Sequence, residues 1–166
     1  MQTSTAEAAQ CLDTKFITPF LHGVKQVCRD MVGIEPLAQS PKPYIKPRPI
    51  GDAASVMPMN SPILSGQLCI SFTEDALLDV SQRLLGEVLN GIDEVALDVA
   101  GEITNMVTGV AKASLQEAGY DFDLQRPVSY SAKDFTEFTL AGSPRIVVPY
   151  ELPTGKLFVD LGFIPS

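Results

Sequence analysis

The run 93-DEVALDVAGEITNMVTGVAKASLQ-116 has the spacing of one long amphipathic helix. At about 100° per residue, Val95, Val99, Ile103, Met106, Val107 and Val110 share a broad apolar face. Asp98, Glu102, Asn105, Gly109, Lys112 and Gln116 fall in a narrow stripe on another. Asp93 is placed to cap the start, and Gly119 to stop the helix after about Ala118. Within the stripe, the Glu102 carboxylate and the Asn105 carboxamide lie one turn apart, with the bare backbone of Gly109 one turn beyond. They make a polar pair that another molecule can approach closely.

The neighbouring segments set the fold class. Upstream, GQLCISF (66–72) alternates, with Leu68, Ile70 and Phe72 on one side, as a half-buried strand does. Thr73 follows as a helix N-cap with Glu74 and Asp75 in the first turn, and the helix through ALLDVSQRLLGEVL is expected to stop near Asn90-Gly91. Further upstream, residues 6–31 repeat Ala9, Leu12, Phe16, Phe20, Val24, Val27 and Met31 at helical intervals, with Pro19 marking a kink or a break and Gly33 the end. The stretch 34–50 carries prolines at 36, 41, 43, 47 and 49, too many for a helix or a central strand. It reads as an extended connector or sheet edge, or else as a proline-rich ligand for another domain. Downstream, DFDLQRPVSYS, FTEFTLA, RIVVPYEL and KLFVDLGF read as short strands, the last two joined by the hairpin signal Pro153-Thr154-Gly155. The order is helix, connector, strand, two helices, several strands, without a clear repeat. That is an α/β (α+β) chain, one domain over residues 1–166, with long helices packed on a largely antiparallel sheet.

Composition narrows the function. With 166 residues, 45% hydrophobic and 19% charged, the chain can bury a sizeable core. Its net charge is −8, and residues 74–102 hold eight acidic residues against Arg83 alone, a local net of −7. Nucleic acid is a poor partner for such a chain, because phosphate binding needs clustered Lys and Arg. The acidic run reads as solvated helix faces or, alternatively, as an approach surface for a partner with exposed lysines. Three cysteines, Cys11, Cys28 and Cys69, form no CxxC pair and fit reduced thiols buried as small apolar groups. The N-terminus lacks the basic-then-apolar order of a signal peptide, and no apolar run approaches a bilayer span. A soluble, cytoplasmic protein without a membrane partner is expected.

Several catalytic constellations are missing from the text. His22 is the only histidine and reads as structural, and without a Cys pair no zinc site is expected. There is no GxGxxG, GxxxxGK[ST] or GxSxG motif, and no cysteine with an evident base. The Glu102/Asn105 pair remains. A carboxamide is neutral, with one acceptor oxygen and two donor hydrogens, so it can orient a water for in-line attack without acting as a base. Glutamine does this in GTPases. A glutamate one turn earlier can dock on a partner's lysine or ion. The plain alternative is a polar pair decorating a solvent face.

The run ALDVAGEITNMVTGVAKASLQEAG followed by Pro127 resembles the signature of the CheC/CheX/FliY family of chemotaxis phosphatases. That signature is Asp or Ser, three residues, Glu, two residues, Asn, and a proline further on; here Asp98, Glu102, Asn105 and Pro127. VGIEP, GQLCISF and VSYSAKDF are also similar to the CheX branch, as is a single motif rather than two in tandem. Glu87 and Asn90 repeat the E-x-x-N spacing, but Arg83 stands where the acidic or hydroxyl residue belongs.

The resemblance implies a CheC/CheX-like fold and hydrolysis of the aspartyl phosphate on a phosphorylated CheY-like response regulator. Asn105 would place the attacking water in line with phosphorus, and Glu102 would pair with the regulator's lysine. Asp98 would dock or support the helix, and Gly109 would serve partner binding. Mg²⁺ would be held by the regulator, with no cofactor and no metal belonging to this chain. A homodimer joined through its sheets, with one site per subunit, is also implied. Two rivals stand beside this: a non-catalytic module of the same fold docking on a regulator or motor-switch component, and a small-molecule enzyme using the helix pair as a cleft. Whether Thr104 and Thr108 tune partner choice is open at this point.

Overall fold

A computed structural model describes residues 14–136 and 145–166. The first turns of the helix expected from residue 6, with Ala9, Cys11 and Leu12, and most of FTEFTLA lie outside the described residues. Helix α1 (Thr14–Val27) carries Pro19 without breaking, then loosens into a π-helical turn, Cys28–Val32, closed by Gly33 at φ 78°. Strands β1 (Leu37–Ala38), β2 (Lys42–Tyr44), β3 (Ala53–Asn60) and β4 (Leu64–Phe72) follow. Helices α2 (Glu74–Leu85) and α3 (Glu94–Glu117) come next. Strands β5 (Asp123–Leu124), β6 (Val128–Ser131), β7 (Arg145–Glu151) and β8 (Lys156–Pro165) complete the described chain.

The strands form one antiparallel sheet in the order β1-β7-β8-β4-β3-β5, with β2 also on β7 and β6 also on β3. This is the helix-on-antiparallel-sheet class that the sequence implies. The proline-rich stretch supplies β1 and β2 as the sheet edge, and its prolines hold these pieces to two and three residues.

Four local expectations are corrected. Strand β3 (AASVMPMN) is absent from the sequence reading, because a proline inside a run argues against a strand. Pro58 is tolerated where it falls between the β6 partners at 53–56 and the β5 partners at 59–60, so no outer strand needs its missing N–H. Strand β4 is buried on both faces, not one: Leu68, Ile70 and Phe72 face the helices, while Cys69 and Ser71 are buried on the other side. Helix α2 stops at Gly86, not at Asn90-Gly91, because Gly86 takes the left-handed conformation (φ 74°) and donates its N–H to Gln82 O at 2.8 Å. Finally, Thr73 stands at the N-cap of α2 but does not cap it. Its hydroxyl donates to Asp75 Oδ1 at 2.6 Å and accepts from the Lys156 N–H at 2.9 Å, while the Glu74 N–H is taken by Asp52 at 2.8 Å. The start of α2 is thereby tied to the β7–β8 hairpin, whose turn uses Gly155 at φ 74°.

The main core lies between the helices and the sheet. Met57, Leu68, Ile70, Val148, Val159 and Leu161 meet Phe16, Phe20, Val24, Ile103 and Val107, each fully buried aliphatic side chain contributing roughly 1.5–3 kcal/mol. At one end, Phe16 meets Phe163 edge-on at 4.9 Å and Tyr120 at 5.4 Å. The helices touch at Gly23, where an added Cβ would sit 2.9 Å from the Val107 carbonyl oxygen and 3.3 Å from its Cγ1. His22, beside it, points to solvent. Cys28 and Cys69 are buried free thiols.

Strand alternation places a buried ion pair on the opposite face of the sheet. Arg145 Nε donates to Asp160 Oδ1 at 2.7 Å, with the side chains only 2% and 3% exposed. The same guanidinium donates to the Lys46 carbonyl and lies 5.1 Å from the Tyr44 ring centroid, so it pins the proline-rich stretch onto the sheet. Burial pushes the Asp160 carboxyl up to about 6, and the hydrogen bond from Arg145 holds back part of that rise.

Two stability outcomes follow, both measured by chemical denaturation at neutral pH. Asp160→Ala strands the buried guanidinium and is expected to cost about 3–5 kcal/mol. Gly23→Ala is expected to cost about 1–3 kcal/mol, although alanine favours the helix by about 1 kcal/mol, because the obstacle is backbone and cannot swing aside. Stabilities within about 0.5 kcal/mol of the parent would contradict these contacts.

Candidate functional site

Helix α3 starts as its sequence implies: the Asp93 carboxylate accepts the Ala96 N–H at 2.9 Å, and Gly119 (φ 97°) follows its end. Burial then decides which face stays open. Val99, Ala100, Ile103, Val107, Ala111 and Leu115 are buried against the sheet and α1. Asp98, Glu102, Asn105, Gly109 and Gln116 are exposed, and Lys112 is half-buried. The polar stripe is therefore the uncovered one. Val95, assigned to the apolar face, is 42% exposed, since helical geometry turns it only about 60° from Asp98. Thr104 and Thr108 are buried, donating their hydroxyls to Ala100 O and Thr104 O at 2.9 Å each, which keeps them off any partner surface.

The stripe is a ridge with a hollow on each flank. On one side the chain reverses at Gly119 and runs back along α3, bringing Pro127 and Ser129 to Gly101. A Cβ on Gly101 would lie 3.9 Å from Pro127 Cγ and 3.3 Å from Ser129 Oγ. The distant proline of the sequence signature is thus a neighbour of the motif in space. Between them opens a cavity of about 650 Å³, lined by Glu94, Asp98, Glu102, Asn105, Arg126 and Pro127 among others. On the other side, a smaller, mainly apolar groove of about 310 Å³ separates α1 from α3, lined by Val27, Met31, Met106, Gly109 and Val110 with Gln26 and Asp30. Met31 is 53% exposed there, and thioethers adapt readily to an incoming surface.

Among the described residues, the side chains of Asp98, Glu102 and Asn105 make no hydrogen bond or ion pair. Their polar atoms are available to a visitor. An added Cβ at Gly109 meets nothing within 4 Å, so the fold does not need glycine there. The residue leaves a flat patch beside Asn105 in a helix interior where alanine would be the more stable choice. Glu87 and Asn90 lie in irregular chain beyond Gly86 and share no helix face. Arg126 was missed in the sequence; its only signal is adjacency to Pro127. Among the described residues, no group of three or more His, Cys, Asp or Glu side chains could hold a metal ion, and no helix is long and apolar enough to cross a membrane.

The profile of the chemotaxis phosphatase CheX family matches residues 53–151, from β3 through β7 and across the ridge. The CheY-P phosphatase CheX of Thermotoga maritima is 27% identical over 124 residues, 74% of this chain and 79% of that relative. The crystal structure of the chemotaxis protein CheX from Vibrio vulnificus shares 34% identity and a TM-score of 0.79, covering 90% of this chain and 99% of that one. The structure of the CheX-CheY-BeF3-Mg²⁺ complex from Borrelia burgdorferi contains a chain of the same fold, with a TM-score of 0.74 at 22% identity, covering 89% of this chain and 97% of that one.

Replacing Gly109 by alanine is expected to stabilise the free protein by about 0.5–1 kcal/mol in denaturant titrations. A loss of stability would mean that Gly109 is required by the fold rather than left bare for an approach.

Proposed function

The chain belongs to the chemotaxis phosphatase CheX family, and from that membership we propose that it hydrolyses the aspartyl phosphate of a phosphorylated CheY-like response regulator. The observation that carries this is the pair Glu102 and Asn105, exposed one turn apart on a long helix and unengaged among the described residues. The curated relative in Thermotoga is a CheY-P phosphatase, and the Borrelia complex pairs a CheX with CheY, which supports the same partner class here.

The chemistry suits such a site. Water attacks phosphorus, the P–O bond to the aspartyl carboxylate breaks, and both water protons leave on the phosphate product. A carboxylate departs at neutral pH without being protonated, since its ordinary pKa is about 4. No acid or base is required of this chain, so a neutral carboxamide suffices if it fixes the water in line. Asn105 has that role in the proposal. Glu102, one turn earlier, pairs with the regulator's active-site lysine, and the regulator supplies Mg²⁺. Asp98 extends the acidic contact, and Gly109 with the adjoining apolar groove lets the regulator's surface close against α3. Each copy of the chain carries a complete ridge, so a homodimer in the cytoplasm would hold two such sites. In the single chain β7 is already covered by β1 and β2, so the dimer rests on the family likeness. Light scattering tests it directly: twice 17.9 kDa is the expected mass.

Mixing the protein with a phosphorylated regulator and Mg²⁺ should accelerate loss of phosphate. Asn105→Ala is expected to slow the accelerated reaction on the order of 10²-fold, as the loss of one positioned group does elsewhere. Glu102→Ala is expected to act mainly through weaker binding. Equal rates for wild type and Asn105→Ala would contradict the assignment. Firm binding without any acceleration would identify a docking module instead.

A further inference from the structure

Arg126 is the one basic residue lining the cavity beside the ridge, which it shares with Glu94, Asp98, Glu102 and Asn105. It is exposed, and among the described residues it forms no ion pair or hydrogen bond, although three carboxylates line the same cavity. Its backbone is well anchored. The following residue, Pro127, restricts Arg126 to extended conformations and rests beside Gly101 of α3. Since the chain here runs back along α3, Arg126 precedes the Pro127–Gly101 contact on the side toward Asn105.

Charge decides what the guanidinium can do. Three carboxylates without a cation would repel a phosphoryl group. Glu102 has a use for its charge if a lysine arrives, but Glu94 and Asp98 keep theirs. A planar guanidinium that offers paired donors matches phosphoryl oxygens in geometry as well as sign.

We propose that Arg126 is a further catalytic residue, which binds the phosphoryl oxygens of the docked aspartyl phosphate while Asn105 holds the water. The inference rests on the phosphatase reading of the site. As the P–O bond to the aspartyl carboxylate breaks, charge gathers on the equatorial and leaving oxygens, where a guanidinium supplied in trans is most effective. The regulator's own lysine and metal already carry part of that charge, so the effect is smaller than for an arginine acting alone. No proton passes through Arg126; the water's protons still leave with phosphate.

Steady-state kinetics with a phosphorylated regulator separates the outcomes. Arg126→Gln is expected to lower kcat by on the order of 10–10²-fold with KM nearly unchanged, and Arg126→Lys to recover part of the loss. The same Gln variant should keep its affinity for a beryllofluoride-treated regulator within roughly threefold of wild type, as an unchanged KM requires. Thermal unfolding checks that the variant is folded, as expected for an exposed side chain without partners. A raised KM with unchanged kcat would make Arg126 a docking residue and overturn the proposal. So would unchanged kinetics in Arg126→Gln while Asn105→Ala is slow. If Asn105→Ala is unaffected as well, the phosphatase reading itself is what fails.

Discussion

The close approach of α1 to α3 at Gly23 is the constraint from which the site follows. There is no room for a methyl group between Gly23 and the Val107 carbonyl, so the two helices lie nearly backbone to backbone. That contact, with the sheet beneath, buries Ile103, Val107 and Ala111 and fixes the rotation of α3 about its axis. With rotation fixed, helical periodicity leaves Asp98, Glu102, Asn105 and Gly109 facing outward. The site is therefore presented by packing on the opposite side of its own helix. A ridge held this way is pre-oriented, which matters when the job is to hold a water within a fraction of an ångström of its line of attack.

A site of this kind explains why the sequence looks so poor in chemistry. In the proposed reaction the phosphorylated aspartate carries its own good leaving group, and the partner would bring the metal and lysine. What would be left for this chain is position and charge. The acidic stretch of residues 74–102 fits the same picture, because an active-site lysine approaches more readily over a negative surface. In the proposed reading, the two hollows beside the ridge would divide the remaining work. The α1 side is apolar and suited to contact, whereas the Arg126 side is charged and suited to the phosphoryl group.

Much of this was legible in the amino-acid sequence, and the rest was hidden for identifiable reasons. The α3 stripe could be read because a long helix on a core obeys one period throughout. Strand β3 could not, since Pro58 is acceptable only where the flanking strands happen to leave a gap, a fact of tertiary pairing. The end of α2 was misplaced because two glycines offered the same signal, and Gly86 turns left-handed first. Thr73 has the residue type of a cap but spends its hydroxyl on Asp75 and the hairpin. Arg126 and the Arg145–Asp160 pair were invisible because the residues around each arginine are distant in the chain. Only folding shows that one arginine is sealed against an aspartate while the other is left facing a cavity.

The most direct test measures binding and turnover on the same Asn105→Ala protein. Its affinity for a beryllofluoride-treated regulator should stay within roughly threefold of wild type, under about 1 kcal/mol, while turnover of the phosphorylated regulator falls on the order of 10²-fold. A parallel loss of both would make Asn105 a docking residue, and a loss of neither would remove the ridge from the reaction.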